Sequence, residues 1–133
     1  MNSVYTAEQV LAFEKNSFSS KGDDLNAMME AAKQSVSILK KNFPKSEFLI
    51  LCGPGNNGGD GYFIGLGLIK LKNCVKFIDV LSDVKKSALC KHASIKVNDL
   101  EFIQPEELKN ISKTTVVIDA IFGIGGRVNL GNK

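Results

Sequence analysis

Two periodicities divide the chain. Leu25, Met28, Met29, Ala32, Val36 and Leu39 recur at helical spacing, which gathers them on one apolar stripe that Pro44 closes. Both methionines read as core filler of that helix. Residues 48–52, Phe-Leu-Ile-Leu-Cys, are continuously apolar and stop at Gly53, the pattern of a strand buried on both faces of a parallel sheet. Further strands are predicted over 74–80 and 114–119, with a short one over 101–103, and helices over 62–71 and 85–97 fall between them. Ahead of all this, Thr6-Ala-Glu-Gln9 has capping-box form and predicts an opening helix that fades by Ser19 and Ser20, so two helices are expected before the first strand.

Strands that alternate with helices predict a parallel sheet with right-handed crossovers, hence an α/β, three-layer α/β/α Rossmann-like domain with a mainly parallel sheet and two N-terminal helices. Its loops after strands 48–52 and 114–119 would share the carboxyl edge of the sheet, where ligands of such folds collect. A sheet of these four strands leaves 114–119 with a bare apolar edge, and a homo-oligomer is the expected consequence.

Residues 53–61, Gly-Pro-Gly-Asn-Asn-Gly-Gly-Asp-Gly, carry the most chemistry. They contain Gly53-x-Gly55-x-x-Gly58, and Asp79 lies roughly twenty residues on, the spacing of a dinucleotide fingerprint. Asp60 departs from that pattern, because a carboxylate near the start of the following helix suits the helix dipole but repels a phosphate seated there. Asn56, Asn57 and Asp60 offer oxygens that suit a hard cation, a ribose hydroxyl or a polar ring, and equally a self-capping turn. Asp119 ends an apolar strand ahead of Gly123, Gly125 and Gly126; it is either a turn cap or an oxygen ligand facing the first loop. Asp79 is either a ribose contact or, as the favoured reading, a solvent-exposed acid at a strand end.

Composition adds bounds. A chain of 133 residues, 44% hydrophobic and 23% charged, makes one domain with a real core. The net charge of +3 comes from scattered lysines such as Lys40, Lys41, Lys85, Lys86 and Lys91, a solvated surface rather than a nucleic-acid stripe. His92 is the one histidine and reads as a surface helix residue, which removes zinc sites and Ser-His-Asp chemistry from consideration. Cys52, Cys74 and Cys90 read as reduced core thiols. With no signal segment and no membrane-length apolar run, they point to the cytoplasm and away from a membrane.

Residues 53–61 resemble the signature loop of the NAD(P)H-hydrate epimerases, the YjeF N-terminal-domain family. Tyr5-Thr-Ala-Glu-Gln-Val-Leu-Ala-Phe-Glu14 is similar to that family's opening helix, Met28-Met-Glu-Ala-Ala32 to its Leu-Met-Glu-x-Ala-Gly segment, and Val117-Ile-Asp-Ala-Ile-Phe-Gly-Ile-Gly-Gly-Arg127 to its second glycine loop. The resemblance implies an isomerase that interconverts the R and S epimers of hydrated NADH and NADPH, so that a partner NAD(P)H-hydrate dehydratase can restore the damaged pool. It places substrate binding on Asn56, Asn57, Gly58, Gly59 and Asp60, and on Gly123, Ile124, Gly125, Gly126, Arg127, Val128 and Asn129. It places a potassium ion on Asn57 and Asp119.

Three departures accompany it. Arg127 stands at about the place of a family lysine proposed for proton transfer; arginine holds its proton and orients an oxyanion better than it acts as a base. Lys33 replaces a usual glycine. Residues 1–133 form a single domain of this type that lacks the family's Asp-x-Pro-Ser-Gly segment, and a chain without that segment is expected to bind hydrated cofactor better than it epimerises it. A noncatalytic nucleotide-binding or scaffold module of the same fold, and a fragment of an NAD-dependent dehydrogenase resting on Gly53 and Asp79, are the alternatives.

Overall fold

The computed structural model describes residues 3–6 and 24–122. In chain order these form β1 (Ser3–Thr6), α1 (Asp24–Asn42), β2 (Phe48–Cys52), α2 (Asn56–Lys70), β3 (Val75–Asp79), α3 (Ala88–Lys96), a 3-10 turn (Pro105–Asn110) and β4 (Val116–Ala120). The four strands make one parallel sheet in the order β1-β4-β2-β3. The α/β Rossmann-like reading holds.

Residue parity explains how the sheet is covered. Phe48, Ile50, Val75, Phe77, Val116 and Ile118 project toward the helices and join Met28, Val36, Leu39, Ile64 and Leu68 in the main core. Leu49, Ile78 and Val117 project the other way, where Ile103 and the partly buried Ile111 cover them. Close approach of α2 to the sheet depends on its glycines: a Cβ on Gly65 would lie 2.4 Å from the Phe77 ring, and one on Gly61 2.7 Å from the Ala120 Cβ.

Several expectations are corrected. The first element is a strand: Tyr5 and Thr6 pair with Ile118 and Asp119, and the remainder of the anticipated opening helix lies outside the described residues. The strand therefore precedes α1, contrary to the expected pair of helices ahead of the first strand. That pairing places β4 between β1 and β2, so the edge expected on 114–119 belongs to β1, and the association a bare β4 would drive loses its reason. Residues 101–103 give only an isolated bridge between Phe102 and Phe77. Met29 and Cys74 are exposed, whereas Met28, Cys52 and Cys90 are buried. His92 lies exposed on α3, as anticipated. Among the described residues no helix is long and apolar enough to cross a membrane.

Candidate functional site

The register of the sheet sets the site. Leu51 lies opposite Asp119, and Cys52 lies opposite both Ala120 and Asp79, so the chain leaves β2 at Gly53 with the ends of β3 and β4 on either side. The Gly53 amide donates to the Ala120 carbonyl across 2.9 Å. A Cβ at Gly53 would lie 2.1 Å from the Ile121 carbonyl oxygen, and one at Gly58 1.9 Å from the Gly53 carbonyl oxygen. Only glycine lets these backbones approach so closely. The two strand-end loops thus meet through main chain.

Helix α2 begins earlier than its apolar residues indicate, at Asn56, with Gly55 at the N-cap and no side chain capping it. The amide-rich loop is therefore the first turns of a helix, whose unpaired N–H groups and dipole favour negative charge at this edge. Asp60 sits within the helix and is not its cap. Asn56 is exposed and accepts a hydrogen bond from the Ser87 hydroxyl at 2.6 Å, while the Ser87 amide donates to the Pro54 carbonyl at 2.8 Å. Ser87 also caps α3, its hydroxyl accepting from the Cys90 amide at 3.1 Å. The helix expected over 85–97 starts at this cap.

Two polar side chains here stand out. The Asn57 side-chain nitrogen is buried and makes no hydrogen bond with the described residues. The Asp60 carboxyl is mostly enclosed, and burial pushes it up to about 7. A buried polar group left unpaired costs on the order of 1–3 kcal/mol, which is retained where a ligand completes the site. Below them, the Cys90 thiol donates to the Gly53 carbonyl at 3.4 Å, and burial raises it to about 11, so it stays a neutral donor.

Asp119 fits both readings of its role. Its Oδ1 accepts from the Ile121 amide at 3.1 Å, the turn-capping contact, and its second oxygen has no partner among the described residues. Asn56, Asn57, Gly58, Gly59, Asp60 and Asp119 are therefore gathered at one carboxyl edge. The second-loop residues Gly123 to Asn129, Arg127 included, lie outside the described residues. Among the described residues no three His, Cys, Asp or Glu side chains converge, so a cation between Asn57 and Asp119 would rest on one carboxylate with amide and carbonyl oxygens, a donor set suited to a large monovalent ion.

Asp79 departs from its expected solvent-exposed state. Lys86 Nζ donates to both of its oxygens, at 3.0 and 3.3 Å, and the side chains are 30% and 16% exposed. Sequence reasoning placed Lys86 among surface lysines. The signal available was weak: an acid closing a strand and a lysine seven residues on, brought back by a turn in which Leu81 takes a φ of 60°. A larger cavity of about 680 Å3, lined by Met29, Lys33, Phe63, Lys70 and Lys96 among others, opens on the helical face and is separate from this edge.

Fold and site together define an α/β domain with a glycine-rich ligand loop at the carboxyl edge of a parallel sheet. The family model for the YjeF-related protein N-terminus matches residues 25–133, and the chain belongs to that family. It is 31% identical over 112 residues to the NAD(P)H-hydrate epimerase of Caenorhabditis briggsae, covering 80% of this chain and 45% of that protein. It is 32% identical over 111 residues to the bifunctional NAD(P)H-hydrate repair enzyme Nnr of Methanocaldococcus jannaschii, covering 74% of this chain and 22% of that one. The chain thus spans less than two thirds of either relative. The crystal structure of yeast ynu0 superposes with a TM-score of 0.62 at 20% identity, over 97% of this chain and 60% of that one, which shows the shared fold.

Proposed function

We propose that the chain acts as an NAD(P)H-hydrate epimerase, interconverting the R and S epimers of hydrated NADH or NADPH. The observation that carries this reading is the meeting of the two strand-end loops at Gly53 and Ile121, with Asn57, Asp60 and Asp119 around the start of α2. The substrate would lie on Asn56, Asn57, Gly58, Gly59 and Asp60 from one side and on Gly123, Ile124, Gly125, Gly126, Arg127, Val128 and Asn129 from the other. The naming of similar proteins as NAD(P)H-hydrate epimerases supports the same substrate class here.

Each side chain has a part suited to its chemistry. Asp60, with its carboxyl near neutrality, is able to hold or release a proton at working pH, which Arg127 is not. Arg127 suits an oxyanion or a phosphate instead. Asn57 and Asp119 would hold a potassium ion, which when bound offsets the Asp119 charge and fixes the two loops together. A dehydratase is the functional partner this reading calls for, and the naming of similar proteins as bifunctional NAD(P)H-hydrate repair enzymes supports a second repair activity beside this one.

A coupled assay tests the reading. With a dehydratase that accepts one epimer, an equilibrated mixture of hydrated NADH should be converted past the accepted half only when this protein is added. A remaining half that persists unchanged in its presence would overturn the proposal.

A further inference from the structure

Helix α3 meets the glycine loop with its first turn. Cys90, Ala93 and Val97 recur at helical spacing and are buried in the main core, which anchors the helix beside α2. Three bonds then run from that first turn to the loop after β2. The Ser87 amide donates to the Pro54 carbonyl at 2.8 Å, the Ser87 hydroxyl to Asn56 Oδ1 at 2.6 Å, and the Cys90 thiol to the Gly53 carbonyl at 3.4 Å. The Cys90 bond is the innermost in character: both partners are buried, so water does not replace the thiol if it is lost.

Gly53 is the residue at which the two strand-end loops touch. Its amide is committed to the Ala120 carbonyl at the end of β4, and its carbonyl is held from the opposite direction of the chain by α3. That carbonyl is also packed on the start of α2, since a Cβ on Gly58 would lie 1.9 Å from its oxygen. A displacement of Gly53 is therefore felt at Gly58, next to Asn57. Cys90 backs the same turn directly, because a Cβ on Gly59 would lie 3.3 Å from the Cys90 Cα. A thiol suits this place as a small, weakly polar donor that a core accepts.

We infer that Cys90 is a positioning residue for the candidate site: by donating to the Gly53 carbonyl it holds the loop after β2 against β4 and keeps Asn57 and Asp60 placed for the ligand. It takes no part in the chemistry itself. The assignment rests on the proposed function only for the identity of that ligand.

Two substitutions separate this role from plain packing. Cys90→Ala removes the donor, whereas Cys90→Ser keeps one; alanine suits a helix better than serine, so the alanine variant should melt no lower than the serine variant. Hydrogen exchange of the ligand-free protein should nevertheless show the Gly58 and Gly59 amides opening about fivefold faster in Cys90→Ala, measured against the Ile50 amide of β2, and near the wild-type rate in Cys90→Ser. Calorimetry with hydrated NADH should follow the same order, with affinity about fivefold weaker in the alanine variant and largely restored in the serine variant. Loop exchange unchanged in Cys90→Ala, or equal losses in both variants, would overturn the inference. The expected exchange pattern in a protein that does not bind hydrated NADH would leave the positioning role standing and defeat the epimerase reading. Epimer exchange and affinity untouched by Cys90→Ala would do the reverse.

Discussion

The Ser87 hydroxyl donates to Asn56 Oδ1 across 2.6 Å while accepting from the Cys90 amide at 3.1 Å, so one side chain caps α3 and fixes the first residue of α2. Ser87→Ala removes both contacts. An N-cap serine is worth about 1 kcal/mol, and urea denaturation should show a loss of about 1–2 kcal/mol. Ligand affinity should fall as well, because Asn56 is released. A variant with wild-type stability and affinity would mean that the bond does not organise the loop.

Gly65 lies in the interior of α2, where alanine ordinarily favours a helix by close to 1 kcal/mol. Its added methyl, however, would meet the Phe77 ring at 2.4 and 2.5 Å and Ile50 at 3.0 Å. Overpacking of a close-fitted core costs about 1–3 kcal/mol, so Gly65→Ala should destabilise the fold by about 1–2 kcal/mol in thermal or chemical unfolding. Stabilisation would show that α2 has room to move off the sheet.

Asp60 gives the fold a pH dependence. Burial raises its carboxyl from 3.8 to about 7, so between those values the folded state holds a proton that the unfolded state has released. Stability conferred by the neutral form is full below the lower value and is lost as pH rises through about 7. The loss should be on the order of 2 kcal/mol, since the side chain keeps some contact with water. Asp60→Asn should therefore gain on the wild type between pH 5 and 8 in potassium-free buffer, a window of about three pH units chosen to bracket the raised value. Parallel stability curves for the two proteins would contradict this.

Much of this could be read from sequence, and the failures share a cause. β2, β3 and β4 were legible because residues buried on both faces leave continuous apolar runs, as at Phe48–Cys52. The start of α2 was hidden, since Asn56, Asn57, Gly58 and Gly59 have turn chemistry and low helix propensity; their helical form goes with close packing of Gly58 on the Gly53 backbone and of Gly59 between Met28 and Cys90. Ser3–Thr6 has only four residues, and its pairing with β4, more than a hundred positions away in the chain, is invisible to local pattern. In the site, the loop residues were named by their chemistry and by family resemblance, but the Lys86 partner of Asp79 arises only from contacts across the fold.

The cation account makes its own demand. If Asn57 and Asp119 hold potassium between the loops, affinity for hydrated NADH should rise with potassium concentration and level off as the site fills. Asp119→Asn keeps the shape of the side chain and removes its charge, so it should abolish most of that dependence. Equal affinity in potassium and in a bulky organic cation, with the variant unchanged, would leave Asp119 as the cap of Ile121 alone.

The central claim is epimerisation, and the most direct measurement starts from one purified epimer of hydrated NADH. The protein is added in potassium buffer, and the two epimers are separated by chromatography over time. The opposite epimer should appear faster than in a protein-free control, and Asp119→Asn should slow its appearance. Exchange no faster than the control, at protein concentrations that saturate binding, would contradict the claim.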